Sequence, residues 1–412
     1  MADLTSDAEP GRVLRLRRAL ARRAAPVTST VTRVGWGFLV ATALAWLVGA
    51  ELGWIEFRYI ATACLFVFVL SSLLTIGRTS LAVTLELDPR RVVAGSSAGG
   101  RVLVRNVSRR RLLPFVLEVP IGASAPPFPM PTLAGGAEAD ELFSVSTARR
   151  GVIAVGPATS VRGDPLGLLR RSVRWTETLE LFVHPITVPL EPLGAGLLRD
   201  LEGQTTNETS MSDLAFHALR DYAPGDDRRY IHWRSSAKVG STTEAGKFLV
   251  RQFLDTRRSH LTVIVDGQPT SYLDVIDFET AISAAASVAL RAITDEVPTT
   301  VLAAQHAVND ASLALTLDTF ARAEAGGDRL GVLASQATIM APDTSVALLV
   351  SGAEVGFGEL QRAASYFAPE VKVIAVRVDP TRQATIAAPA GLTVVTLPQL
   401  SSLAALLAGV GA

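Results

Sequence analysis

The sequence contains a single cysteine, Cys64, which lies inside a long apolar run. One cysteine excludes an intrachain disulfide, a zinc site built from several cysteines and a CxxC redox pair. A thiol surrounded by hydrocarbon stays protonated, so Cys64 is also a poor nucleophile. We therefore expect it to be a small packing or lipid-facing residue.

The chain also lacks a net charge, because 39 Lys and Arg residues balance 39 Asp and Glu residues. A neutral chain gives no global reason to expect nucleic-acid binding. The five histidines show no ligand spacing such as HxxxH. Neither the charge nor the histidine spacing therefore indicates a nucleic-acid-binding protein or a zinc enzyme.

Apolar residues are abundant: they make up 49% of the chain, and the mean hydropathy is +0.32. Much of the excess lies in two uncharged runs, residues 34–50 and 59–76. At about 1.5 Å per residue, a helix over either run covers roughly 25–27 Å, which is close to the hydrocarbon thickness of a bilayer. The short polar connector between them predicts an antiparallel transmembrane hairpin.

Positive charge flanks both outer ends of this hairpin. An arginine-rich segment precedes the first run and Arg78 follows the second, whereas the connector has only Arg58. The positive-inside rule then places both termini in the cytoplasm of a plasma-membrane protein, with membrane lipid as a partner. An alternative is that the first run is a cleaved signal peptide and the second a single anchor, which puts the soluble part on the other side.

The soluble part changes character along its length. Short alternating segments separated by Gly- and Pro-rich turns predict an antiparallel β-sandwich over residues 78–190. From residue 259 apolar strands alternate with helices, which predicts a parallel, doubly wound α/β domain to residue 412. The whole organisation is predicted as 1–32 basic tail, 33–77 hairpin, 78–190 β-sandwich, 191–215 linker, 216–258 signature region and 259–412 α/β domain.

Charged and aromatic residues are concentrated in the signature region, which reads LRDYAPGDDRRYIHWRSSAK from Leu219 to Lys238. Pro224-Gly225-Asp226 is a turn signal. The pattern resembles the prokaryotic membrane-anchored DUF58 family, whose signature reads roughly R-x-Y-x-x-G-D-x-x-R-x-I-x-W-x-x-S-A-R/K. The matching residues are Arg220, Tyr222, Gly225, Asp226, Arg228 or Arg229, Ile231, Trp233, Ser236, Ala237 and Lys238.

The upstream segments Arg150-Gly151 and Asp164-Pro165-Leu166-Gly167-Leu168 also look like elements of this family. The resemblance covers about residues 30–270. It implies that the α/β domain is von Willebrand factor A-like. It also implies a non-enzymatic adaptor or assembly factor that acts with a cytoplasmic MoxR-type AAA+ ATPase.

The residues themselves leave two interpretations of the signature region. In the structural one, Ile231 and Trp233 are core anchors under the turn. In the functional one, a basic ridge binds an acidic partner, a lipid or a phosphate; its residues are Arg220, Arg228, Arg229, Arg234 and Lys238. The predicted partner-binding residues are Arg220, Tyr222, Asp226, Arg228, His232, Trp233 and Lys238.

Two other functions stay open. Asp226 and His232 are candidates for an acid–base pair in a cell-envelope hydrolase, although no nucleophile or metal constellation completes such a site and no catalytic residue is predicted. A purely structural membrane scaffold is the third possibility.

A-type domains often bind Mg²⁺ through Asp-x-Ser-x-Ser after the first strand. Here the segment reads Asp266-Gly267-Gln268-Pro269-Thr270, so Asp266 and Thr270 are the candidate ligands of a degenerate site. The alternative is an Asp that closes a strand with a turn. We expect no cofactor, and Mg²⁺ only at this weak site.

Overall fold

The computed structural model describes residues 30–75, 80–192, 214–223, 228–240, 248–255 and 259–410. The chain divides into two compact units, Met1–Phe182 and Val183–Ala412.

The first unit begins with two helices, α1 (Arg33–Glu51) and α2 (Ile55–Thr75). Both are long and apolar enough to cross a membrane. The core helix of a soluble protein is mostly buried, but only 11% of the apolar window of each of these helices is buried. Thr32 caps α1, because its hydroxyl accepts a hydrogen bond from the Gly35 amide at 3.0 Å. The predicted pair of apolar helices is thus present.

Ten strands follow in the first unit and its border with the second. They are β1 (Leu81–Leu87), β2 (Arg91–Val93), β3 (Ala98–Asn106), β4 (Phe115–Glu118), β5 (Pro127–Met130), β6 (Glu138–Val145), β7 (Gly151–Val155), β8 (Thr159–Gly163), β9 (Arg170–Arg174) and β10 (Leu179–His184). They form sheets in the orders β1-β3-β6, β2-β10-β7 and β5-β4-β8-β9. The pairs β1–β3, β3–β6, β4–β5, β4–β8 and β8–β9 are antiparallel.

The core of these sheets comes from alternate strand residues. In β3, for example, Val102 and Val104 are fully buried while Arg101 and Arg105 face outward and form ion pairs with β6. This period of two is what places one face of each strand in the core.

The second unit contains the signature region and the α/β domain. Its elements are β11 (Leu214–Asp221), α3 (Trp233–Gly240), β12 (Leu249–Asp255), β13 (Leu261–Val265), α4 (Val275–Thr294), β14 (Thr299–Ala303), β15 (His306–Asn309), α5 (Leu313–Arg322), α6 (Leu330–Met340), β16 (Val346–Gly352), α7 (Phe357–Ala364), β17 (Lys372–Val378), β18 (Thr385–Ala387), β19 (Thr393–Leu397) and α8 (Leu403–Val410).

The main sheet of this unit has the order β15-β14-β13-β16-β17-β19-β18. Its five central strands are parallel, and β15 and β18 are antiparallel edges. One apolar core includes residues of α4, α5 and α8, and a second on the other side of the sheet includes residues of α6 and α7. The predicted alternation of strands and helices is confirmed.

Helix α6 and the two edge strands were not predicted. In α6 the buried stripe Leu330, Leu333, Ala334 and Ala337 is obscured by exposed apolar residues such as Val332 and Ile339. Such a helix has weak amphipathic periodicity, so the sequence pattern does not mark it.

Candidate functional site

The signature region is held between two paired strands. Strands β11 and β12 are antiparallel, with Leu214 opposite Asp255 and Asp221 opposite Leu249. Between them lie a 3₁₀ turn, Arg228–Tyr230, and helix α3. The described part of the signature region therefore lies between the two strands of the β11–β12 pair in the chain.

Three contacts join β12 to α3 and to the two residues that precede this helix. Ile231 forms a β-bridge with Val250, and both side chains are buried. The buried Ser236 hydroxyl accepts a hydrogen bond from the Leu249 amide at 2.8 Å and donates one to the His232 carbonyl at 3.1 Å. The His232 amide in turn donates to the Leu249 carbonyl at 2.8 Å. Ile231 and Ser236 therefore position the exposed residues of the helix.

The aromatic residues of the region lie at the surface. The Trp233 side chain is 62% exposed, and its ring meets that of Phe248 edge-on at 5.6 Å between centroids. Phe248 also contacts Tyr222 edge-on at 6.5 Å. The structural interpretation is thus confirmed for Ile231 and wrong for Trp233, which is not a core anchor.

Phe248 was missed by the sequence analysis. It lies outside the Arg220–Lys238 motif and becomes its neighbour only because β12 returns alongside β11; the Tyr222 amide donates to the Phe248 carbonyl at 2.8 Å. The only sequence signal was an aromatic residue directly before an apolar strand.

The same segment of the chain carries exposed basic residues. Arg228, Arg234 and Lys238 are exposed. The backbone of Arg220 lies in β11 opposite Val250. Asp226 lies outside the described residues. We call the set Tyr222, Arg228, Trp233, Arg234, Lys238 and Phe248 the aromatic–basic surface.

Of the candidate acid–base pair Asp226 and His232, only His232 lies among the described residues. His232 is half-buried, and its Nδ1 accepts a hydrogen bond from the Ser235 amide at 3.1 Å. In that bond Nδ1 serves as the acceptor of the ring. The ring thus helps to begin α3, which is a structural use of the side chain.

The second candidate site is the switch point of the α/β sheet. Strand β13 pairs with β14 on one side and with β16 on the other, so the chain leaves the sheet centre in opposite directions. Ligands of such sheets bind in the crevice outside the carboxyl ends of these strands. In this chain Asp266 and Ser351 lie there, each directly after the paired residues Val265 and Val350.

Asp266 is nearly fully buried and its carboxylate is already hydrogen-bonded. Its oxygens accept from the Gln268 amide at 3.0 Å and the Ser271 hydroxyl at 2.7 Å, and also from the Leu330 amide at the start of α6. Burial raises the pKa of the carboxyl above its ordinary value, and the nearby Glu359 also raises it, whereas the hydrogen bonds oppose the rise.

The two predicted metal ligands, Asp266 and Thr270, differ in their surroundings, because only Asp266 is buried. Thr270 is exposed, and the hydroxyl that bonds Asp266 belongs to Ser271. Among the described residues, no group of three or more His, Cys, Asp or Glu side chains could hold a metal ion. Mg²⁺ at Asp266 and Thr270 stays a prediction, and the hydrogen bonds favour the alternative of an Asp that closes a strand.

Glycines allow the neighbouring loops to fill the crevice. A Cβ on Gly352 would lie 2.2 Å from the Ser271 carbonyl oxygen, and one on Gly267 would lie 2.8 Å from the Cα of Ala304. The Gly267 carbonyl accepts from the amides of Gly326 and Gly327 at 2.8 and 3.1 Å. The place where this fold ordinarily binds ligands is closed by the chain itself.

No family model and no curated protein matches the chain. Among solved structures, the CARDB domain of the PF1109 protein from Pyrococcus furiosus, in complex with di-metal ions, aligns at 19% identity over 26% of this chain and 93% of that domain, with a TM-score of 0.21. The β-glucosidase from Listeria innocua aligns at 13% identity over 26% of this chain and 16% of its own, with a TM-score of 0.18. These scores are too low to assign a fold family or a function.

Proposed function

We propose that the protein is a non-enzymatic adaptor or assembly factor, tethered to the plasma membrane by α1 and α2. In this proposal both termini are cytoplasmic, and the α/β domain is von Willebrand factor A-like. The tethered protein presents its aromatic–basic surface to a cytoplasmic protein partner of the MoxR AAA+ ATPase type.

The observation that carries the proposal is the exposed Trp233 on a firmly held helix. Trp, Tyr and Arg are the residue types that contribute most to binding at protein interfaces. The Trp233 side chain, with 62% of its surface accessible, meets the Phe248 ring edge-on, and Phe248 meets Tyr222 in the same way. The three rings thus form an exposed apolar group of the kind that marks interaction sites. The buried anchors Ile231 and Ser236 keep these rings in place, so little conformational entropy is lost on binding.

The charges of this surface indicate an acidic partner. Arg228, Arg234 and Lys238, which lie in the same segment as Trp233, carry exposed guanidinium and ammonium groups. Guanidinium groups bind carboxylates in bidentate pairs, and complementary charge also raises the rate of association.

The proposed tether rests on the length, composition and exposure of α1 and α2. Its direction rests on the arginines at the outer ends of the hairpin. A reporter fused after Ala412 tests the direction, because a reporter found outside the cytoplasm contradicts an intracellular ATPase as partner.

Affinity capture of the full chain from solubilised membranes tests the docking surface. Trp233→Ala and Arg228→Ala should each reduce the captured partner roughly thirtyfold or more if Trp233 and Arg228 are hot spots worth about 2 kcal/mol. Tyr366→Ala and Arg149→Ala are matched controls, since both residues are exposed and lie outside this surface. Folded Trp233→Ala and Arg228→Ala variants that retain every wild-type partner contradict the proposal.

A further inference from the structure

The loop between β3 and β4 carries three consecutive arginines. Arg109, Arg110 and Arg111 are all exposed, and none of them forms an ion pair with a described residue. Glu138, which begins β6 beside this loop, is already paired with Arg105 at 3.4 Å. Three guanidinium groups thus lie together at the surface, and no anion among the described residues balances their charge.

A buried asparagine holds the backbone of this loop in place. The Asn106 side chain is fully buried. Its Nδ2 donates to the carbonyls of Arg110, Leu133 and Ala134 at 2.9, 3.1 and 3.0 Å. Its Oδ1 accepts from the amide and the hydroxyl of Ser108 at 3.0 and 2.7 Å. Because the backbone is already fixed, the loop loses less conformational entropy on binding a ligand than a free segment would.

Hydrogen bonds place this loop beside the outer ends of the two apolar helices. The Val107 amide donates to the Ser80 carbonyl at 3.0 Å, and Ser80 follows α2, which ends at Thr75. The chain from Thr75 to Ser80 spans at most about 18 Å, because each residue extends by no more than about 3.6 Å. At the start of α1, the Thr32 amide donates to the Leu168 carbonyl at 3.0 Å. Both helices therefore lead directly into the β domain, and a membrane that contains them has its headgroups beside the loop.

Exposed apolar side chains flank the three arginines. Val107 is 63% exposed and Leu113 is 64% exposed. Apolar residues next to a basic cluster are typical of segments that bind a membrane surface, because the apolar side chains enter the acyl boundary while the basic ones contact anionic headgroups. The composition of the loop therefore suits the position that its hydrogen bonds give it.

We propose that residues 107–113, which we call the arginine loop, bind the phosphate headgroups of anionic phospholipids in the membrane that holds α1 and α2. Val107 and Leu113 insert at the acyl boundary of the same lipids. The proposal rests on the membrane tether and its direction, both proposed above. The ligand is an anionic lipid because guanidinium groups bind phosphate in bidentate pairs, and because the cytoplasmic leaflet is the one rich in such lipids.

Fluorescence quenching in reconstituted vesicles tests this binding. The full chain, in a Cys64→Ser background, carries a bimane label on Val107→Cys. The vesicles contain nitroxide-labelled lipid in phosphatidylcholine, either alone or mixed with phosphatidylglycerol. We expect phosphatidylglycerol to increase the quenching, because it draws the arginine loop to the surface. The increase should shrink in about 1 M salt, where the Debye length is about 3 Å.

Neutralising the three arginines should remove this increase. The triple variant is Arg109→Gln, Arg110→Gln and Arg111→Gln, and each lost arginine should weaken binding to an anionic surface about fivefold. The matched control removes the same charge from three exposed arginines elsewhere in the β domain: Arg90, Arg149 and Arg174. It should keep the increase. An unchanged Tm in dodecyl maltoside shows that both variants are folded.

Three outcomes overturn the proposal: equal quenching with and without phosphatidylglycerol, an undiminished increase in the folded triple variant, or an equal loss in the control variant. An acidic protein that the wild type captures and the triple variant does not, without any response to phosphatidylglycerol, also overturns it. A carbonate wash of membranes separates these results from failure of the tether. Protein released by carbonate contradicts the tether, and retained protein without a phosphatidylglycerol response contradicts only the arginine loop.

The insertion of the apolar side chains has its own readout in the same vesicles. A bimane label on Leu113→Cys should be quenched about as strongly as one on Val107→Cys. A label on Leu142→Cys, an exposed leucine in the middle of β6, should be quenched much less. Equal quenching at positions 107, 113 and 142 overturns the placement of the arginine loop at the bilayer.

Discussion

At the switch point of the α/β sheet, Asp266 and Ser351 are buried beneath the chain's own loops, whereas on the β11–β12 pair Trp233 exposes 62% of its surface. The first region has the position of a ligand site and the packing of a core. The second lies outside the main sheet and has the residue types of an interface. This difference is the reason why the proposed partner binding is assigned to helix α3 rather than to the crevice.

The largest expected loss of stability comes from adding a methyl group to the closely packed crevice. Gly352→Ala places a Cβ 2.2 Å from the Ser271 carbonyl oxygen and 2.6 Å from the Tyr272 ring. Overpacking of this kind costs about 3 kcal/mol or prevents folding. Hydrogen exchange of the β16 amides in the solubilised full chain measures the loss of local stability.

Gly331→Ala is the matched control, because a Cβ at this helical glycine meets nothing within 4 Å. It should be neutral or stabilise α6 by up to about 1 kcal/mol. If Gly352→Ala and Gly331→Ala change the exchange of the β16 amides equally, the loops over the crevice are not packed as closely as these distances indicate.

Ser236→Ala tests the support of the exposed helix. The change leaves the part-buried Leu249 amide without its 2.8 Å acceptor, which costs about 0.5–1.5 kcal/mol. Protection of the β12 amides should fall, and partner capture should fall with it because Trp233 loses its support. Ser365→Ala, an exposed serine of the α/β domain, should change neither. If the Ser236→Ala variant loses protection of its β12 amides but captures the partner as the wild type does, partner binding does not depend on the position of α3.

The pH dependence of stability probes Asp266. Burial raises the pKa of Asp266, and burial also raises that of Asp277 at the start of α4. In the pH range above the ordinary carboxyl value the folded state binds more protons than the unfolded state, so stability falls as pH rises through the folded pKa values. Asp266→Asn should make this decline shallower, and Asp277→Asn should remove a separate part of it.

The measurement is the Tm of the full chain between about pH 4 and pH 8, where carboxyl groups with raised pKa values titrate. An Asp266→Asn variant whose decline is as steep as that of the wild type would mean that Asp266 titrates normally in the fold.

The smallest effect is expected at Ser351. Its hydroxyl is buried and has no hydrogen-bond partner among the described residues. Replacing an unpartnered buried hydroxyl by a methyl group removes a desolvation penalty, so Ser351→Ala should be neutral or slightly stabilising. Hydrogen exchange of the β16 amides measures this change in stability. A loss of more than about 1 kcal/mol would indicate that the hydroxyl has a ligand in solution, which would reopen the crevice as a site.

Much of the fold could be predicted because it depends on local patterns. The two apolar helices, strand β13 before Asp266 and helix α4, which contains Asp277 in its first turn, all follow from hydropathy and periodicity. Helix α6 could not be predicted in this way, because its exposed apolar residues obscure the buried stripe.

The candidate site was predicted only in part. The concentration of charged and aromatic residues in the sequence identified Tyr222, Arg228 and Trp233. The exposure of Trp233 and its contact with Phe248 depend on the pairing of β12 with β11. The closure of the crevice likewise depends on which loop lies over Gly267 and Gly352. Such contacts join residues far apart in the chain, and no local pattern encodes them.

Site-specific photo-crosslinking in intact cells tests the central claim most directly. A benzoylphenylalanine at position 233 should form an adduct with a cytoplasmic protein, and the same residue at position 366 should not. The account is contradicted if position 233 yields no adduct, or only adducts with a second copy of this chain, while the protein is folded and in the membrane.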